Sequence, residues 1–228
     1  MKITLIRIIR AAMALALVSA IVLAARAANQ EGVSRDADPV VPLIVIEDVP
    51  LPDAIRNLAR QMRLNFILDP RVPGSTFGPG RSLHNPNVSG RWANTTAHAA
   101  LDSLLKDHKL LMITNPATTI ARIAPASAGV KPLTTDQVRA DTNGVIPLLV
   151  MEDLPLAAAI RKLGSAAHLN ISLDERLSTP EFDRQGTVSL RWERITATQA
   201  LAALLDNYDL LMTDDPATTS VRITTKRK

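Results

Sequence analysis

The hydrophobic positions along the chain follow helical spacing in some segments and form short strand-like runs in others. Apolar residues stand at helical spacing from Leu51 to Met62 and again from Ala97 to Leu105, where Thr96 can cap the second helix. Short runs typical of strands lie around these helices. The predicted strands are 43–46, 65–68, 88–92, 110–113 and 120–123. The predicted order of elements is therefore βαββαββ.

The whole pattern occurs twice. Pro42–Leu51 aligns with Pro147–Leu156 at an offset of 105 residues, and Val88–Trp92 aligns with Val188–Trp192 at an offset of 100. About half of the aligned positions are identical, far more than chance gives. The offset changes within a Gly/Pro-rich segment that begins at Pro73, as expected of a surface loop. We predict an α+β fold of two tandem small βαββαββ domains, each a mixed sheet packed with two helices.

The first 27 residues have the pattern of a secretory signal peptide. Basic residues precede an apolar run over 11–25, and Ala25-Arg26-Ala27 places small residues at both cleavage-reading positions. Retention of this segment as a membrane anchor is the alternative. We then expect a flexible spacer over 28–41, domains over 42–124 and 145–225, a linker over 125–144 and a basic tail over 226–228.

The charge of the chain is concentrated in that leader. The full sequence has 26 Lys and Arg against 22 Asp and Glu, but Lys2, Arg7, Arg10 and Arg26 precede the predicted cleavage site. The mature protein is then balanced, so the sustained basic face that nucleic-acid binding needs is absent. The chain also has no cysteine, which excludes disulfides, thiolate catalysis and zinc–thiolate sites.

We predict no catalytic residue, no metal site and no cofactor. The acid pairs Glu47-Asp48 and Glu152-Asp153 fit a solvated strand end, because neighbouring strand residues point to opposite faces and cannot flank one bond. No two of the four histidines have the short helical spacing of a zinc site. Neither a nucleophile elbow nor a phosphate-binding Gly-Lys loop occurs. These observations argue against an enzyme.

Side chains that could contact a partner are few. Trp92 and Trp192 share a face with Val88 and Val188, which favours core packing over ligand stacking. The arginines that precede them point the other way and can be solvated strand residues or partner contacts. The partner-binding candidates are Arg91, Arg191 and, in the Gly/Pro-rich loop, Phe77 and Arg81.

Both copies resemble the secretin and TonB short N-terminal domain family. The resemblance is carried by Glu47–Ala59, Leu64–Pro70, Val88–Trp92 and Ala100–Leu105, and it extends over about 42–123 and 147–223. It implies a periplasmic module that docks to a secretin, a TonB-dependent receptor or an inner-membrane component. In this family the module normally precedes a membrane channel in the same chain. Here the sequence stops after the second copy, so we expect any channel to be a separate protein.

The predicted function is therefore a periplasmic, non-enzymatic interaction module of a secretion, pilus or TonB-dependent uptake system. An exposed edge strand could accept an extended peptide without any signature side chain. The alternative is a periplasmic small-ligand or glycan-binding protein that uses the loop from Pro73 to Asn87.

Overall fold

The structure is a computed structural model that describes residues 38–75, 86–133, 138, 144–179, 187–214 and 220–226. The described residues from Pro39 onward belong to one compact unit. The predicted signal peptide, Phe77, Arg81, His84 and the second-copy turn at Asp215-Pro216-Ala217 lie outside the described residues.

The first copy has the predicted order βαββαββ. Its elements are β1 (Val40–Pro50), α1 (Leu51–Gln61), β2 (Phe66–Leu68), β3 (Asn87–Thr96), α2 (Ala97–Asp107), β4 (Leu110–Thr114) and β5 (Ala121–Pro125). Strands β1 and β3 form an antiparallel ribbon. The other three form a mixed sheet in the order β2-β5-β4, in which β2 is parallel and β4 antiparallel to β5.

The second copy repeats every element. It contains β6 (Ile146–Pro155), α3 (Leu156–Ala166), β7 (Ile171–Leu173), β8 (Thr187–Ile195), α4 (Ala197–Asn207), β9 (Leu210–Asp214) and β10 (Val221–Thr225). The ribbon is β6-β8 and the mixed sheet is β7-β10-β9. The predicted α+β fold of two tandem βαββαββ domains is confirmed.

The helices follow the predicted stripes. Leu51, Ile55 and Leu58 of α1 are buried, and α3 buries the equivalent Leu156, Ile160 and Leu163. The hydroxyl of Thr96 accepts a hydrogen bond from the Ala99 N–H at 3.1 Å, so it caps α2 as predicted. The equivalent Thr196 forms a complete capping box with Gln199 at the start of α4.

The ribbon strands are longer than the hydrophobic pattern predicted. Strand β1 extends three residues before and four after 43–46, because its pairing with β3 continues through a bulge between Ile46 and Val49. The bulge residue Asp48 has a left-handed backbone with φ of 51°, and Asp153 has the same conformation in β6 with φ of 46°. Both copies therefore bend the ribbon at the same place, just before the helix.

Each copy has its own hydrophobic core where its helices meet both sheets, but the two cores are not independent. The core of the second copy includes Ile67 of β2 and Ile120, which directly precedes β5, both from the mixed-sheet region of the first copy. That sheet therefore has one face on its own helices and the other on the second copy. The helix pairs of the two copies therefore pack in separate clusters, while this sheet contributes to both.

Candidate functional site

The two predicted partner contacts within the described residues lie on the outer faces of the ribbons. Arg91 on β3 stands opposite Val45 on β1, and Arg191 on β8 stands opposite Val150 on β6. Both arginines are exposed, as expected of solvated strand residues. The structure thus places Arg91 and Arg191 at equivalent positions on two separate surfaces.

These surfaces are apolar as well as charged. On β1, Ile44 and Ile46 point into the core while Leu43 and Val45 remain 43% and 44% exposed. Strand β6 repeats the arrangement, with Leu148 45% and Val150 38% exposed. We call these surfaces the ribbon faces, defined by Leu43, Val45 and Arg91 in the first copy and by Leu148, Val150 and Arg191 in the second.

Among the described residues, every exposed large apolar side chain has an exposed counterpart at the equivalent position of the other copy. Beyond the ribbon faces, one pair is Val40, the first residue of β1, with Val145, which directly precedes β6. The other is Leu111 with Leu211 on the edge strands β4 and β9. A scattered exposed valine or leucine is ordinary on a protein surface. Three such positions lie on β1, and two lie on β6 with a third directly before it, which concentrates exposed apolar surface on the ribbons.

The paired acids have a structural role at the bulges. The backbone N–H of Asp48 donates to the Ser89 hydroxyl at 3.0 Å, and its carboxylate accepts from the Asn87 side-chain amide at 2.9 Å. Asp153 makes the equivalent backbone bond to Ser189 and also accepts from its hydroxyl. These bonds hold a strained backbone turn in each ribbon.

A buried ionic network joins the two copies, and the sequence analysis did not predict it. The Arg122 guanidinium on β5 donates to Asp69 Oδ2 at 2.7 Å and to Asp206 Oδ2 at 2.9 Å, across the boundary between the copies. It also donates to the backbone carbonyls of Asp206 and Asn207. Asp69 is fully buried and Arg122 is 7% exposed. We call this network the joint.

The joint shifts the pKa of Asp69. Burial alone would raise the pKa of this carboxyl, but hydrogen bonds from the Arg71 side chain and backbone and from Arg122 favour the carboxylate. The outcome is a pKa below the ordinary value of 3.8. In turn, the hydrogen bond to Asp69 raises the pKa of Arg71. Asp69 is therefore a charged group inside the protein at neutral pH.

Side chains of the second copy also cover the outer edge of β2. The Trp192 indole donates to the Phe66 carbonyl at 2.8 Å, and the Asn207 amide donates to the Leu68 carbonyl at 2.9 Å. Asn65 adds a two-point bond with the backbone of Glu193, at 2.7 and 2.8 Å. Polar groups that an edge strand would leave open are thereby satisfied within the chain.

Both tryptophans pack against a core as predicted, but Trp192 is fully buried whereas Trp92 is half-buried. The Trp92 ring lies over Gly90, where any Cβ would collide with it. Leu190 stands at that position in the second copy. A side chain there prevents the ring from folding back along its own strand, so Trp192 extends toward the first copy instead.

A cleft of about 200 Å³ opens between the copies. Its walls come from α1 and β2 of the first copy and from the β6-β8 ribbon of the second. Arg56, Arg60, Arg191 and Glu152 are its charged side chains. The cleft is too small for most drug-sized ligands.

Two features are absent from the described part of the chain. No group of three or more His, Asp or Glu side chains there could hold a metal ion. Among the same residues, no helix has the length and hydrophobicity needed to cross a membrane.

Comparisons of this chain with protein-family models, with curated proteins and with solved structures find no match.

Proposed function

We propose that this protein is a periplasmic, non-enzymatic interaction module whose two ribbon faces dock to an envelope protein. The partner class is a secretin, a TonB-dependent receptor or an inner-membrane component. The observation that carries the proposal is the duplicated exposure of Leu43 and Val45, and of Leu148 and Val150, each beside an arginine. Exposed apolar patches rimmed by polar residues mark interaction sites, and arginine is enriched at protein interfaces.

Strand pairing supports the same role. Within the described residues, β1 pairs only with β3 and β6 pairs only with β8, so each ribbon strand has one side without a ladder partner. An extended segment of the partner can add there through backbone hydrogen bonds, while its side chains meet the ribbon face. Two ribbons on one compact unit also give avidity when both engage the same assembly.

Co-purification tests the proposal with a matched control. We expect V45S/V150S, made in the full chain, to recover roughly tenfold less envelope partner after crosslinking in cells, because loss of both faces also removes avidity. The control L111S/L211S removes equally exposed apolar side chains from the edge strands β4 and β9. Recovery identified by mass spectrometry should match wild type for this control. Equal recovery with both double variants would rule out the ribbon faces as the docking surface.

A further inference from the structure

The cleft between the copies has the charge of an anion-binding site. Three of its lining side chains are arginines and one, Glu152, is acidic. We propose that this cleft binds a small anion that bears a carboxylate or phosphate group. Guanidinium groups recognise both through paired hydrogen bonds.

The arginines differ in how far they are already engaged. Arg60 is exposed at the cleft and forms no ion pair with a described residue. Arg56 donates to Asp53 at 2.7 Å along the same helix turn, and Arg191 donates to Glu193 at 3.3 Å. The Arg191 pair is solvent-exposed and the Arg56 pair is partly exposed, and surface pairs of this kind contribute little free energy. An incoming anion can therefore share or replace these carboxylates at small cost.

One further donor faces the site. The Ser75 hydroxyl lines the cleft, is shielded from solvent, and has no hydrogen-bond partner among the described residues. A shielded hydroxyl without a partner is unfavourable, and a ligand oxygen can satisfy it. The hydroxyls of Thr187 and Ser189 also line the cleft but already donate to Asp153, so they are not counted as free donors.

The volume limits the ligand to a small molecule. A cavity of roughly 150 Å³ holds one benzene molecule, so the cleft, at about 200 Å³, accepts a ligand only slightly larger. Inorganic phosphate and a short dicarboxylate both meet this limit. The cleft shares Val150 and Arg191 with the second ribbon face, but Arg56 and Arg60 on α1 lie outside both ribbon faces, so replacing them tests anion binding separately from docking.

Tyr208 provides a direct probe, because it lines the cleft and is the only tyrosine of the chain. Protein labelled with 3-fluorotyrosine gives one ¹⁹F resonance, which is followed during titration with inorganic phosphate and, separately, with succinate. Sodium chloride holds the ionic strength constant. We expect a saturable shift with at least one of the two anions, and the tighter one identifies the preferred acid group.

Two double variants decide whether the cleft itself binds the anion. R56A/R60A should weaken binding at least tenfold. The control R161A/K162A removes two exposed charges from the equivalent helix α3, away from the cleft lining, and should leave the affinity within about twofold of wild type. Circular dichroism of each variant confirms folding. Absence of a saturable shift with either anion in the wild type, or equal weakening in both double variants, would overturn the proposal.

Discussion

Replacing Arg122 with methionine removes the guanidinium from the joint and keeps a flexible side chain of moderate length. In the wild type this group donates to two carboxylates and to two backbone carbonyls of the second copy. The variant leaves Asp69 in a site where it is fully buried. Only the bonds from Arg71 then remain to it, and Asp206 retains Lys226 at 2.7 Å.

The expected loss of unfolding free energy follows from the burial of the network and from the partners that remain. Breaking a buried ion pair by removing one partner costs about 3–5 kcal/mol. Because each acid keeps one basic partner, we expect the lower end, about 3 kcal/mol of unfolding free energy. Arg222 is the equivalent residue of the second copy, and it pairs with Asp174 at 3.2 Å with side chains 54% and 28% exposed. R222M should therefore cost less than about 1 kcal/mol.

Urea unfolding followed by tryptophan fluorescence and circular dichroism measures both variants. Wild type should unfold in a single transition, and R122M should show a lower midpoint with the two probes no longer coincident. Equal losses in R122M and R222M, or an R122M loss below about 1 kcal/mol, would refute the view that this network joins the copies.

Three further predictions concern the Asp69 carboxyl, the two tryptophans and the start of the mature chain. The folded pKa of Asp69 lies below 3.8, so its charge stabilises the protein above that pH, and this contribution is lost as the pH falls through the folded pKa. Urea midpoints measured from about pH 7 to about pH 2 should therefore fall less steeply in R122M than in the wild type. Parallel curves for the two proteins would contradict this. W192F should cost about 2–3 kcal/mol, since it removes the bond to Phe66 and leaves a cavity, whereas W92F should cost about 1 kcal/mol or less; equal losses on urea unfolding would contradict the different packing of the two rings. N-terminal sequencing of protein from the periplasmic fraction should begin at Ala28, and a chain beginning at Met1 would show a retained anchor.

Duplication made most of the fold predictable from the sequence. Each helix stripe and each cap occurs twice, so a weak local pattern in one copy is supported by the other. The ribbon ends were not predictable, because strand pairing through the bulge at Asp48 depends on a partner strand about 40 residues away. The run from Leu43 to Ile46 is apolar on both faces, so its sequence could not show which side stays exposed.

The joint was missed because it depends on differences between the copies. Ile67 and Ile120, which the second copy covers, align with the serines Ser172 and Ser220. Asp206, which binds Arg122, aligns with Lys106. The pair Arg122 and Asp69 has its equivalent in Arg222 and Asp174 of the second copy, but only the first pair is buried. A comparison of where the repeats diverge, rather than where they agree, was the signal available in the sequence.

Site-specific photocrosslinking in living cells tests the docking role of the ribbon faces most directly. A photoreactive residue is placed singly at Val45, Val150, Leu111 or Leu211, all of them exposed. We expect Val45 and Val150 to trap the same envelope protein and the two leucine positions to trap none. Crosslinks to an envelope protein from the leucine positions alone, or none from either ribbon, would contradict this expectation.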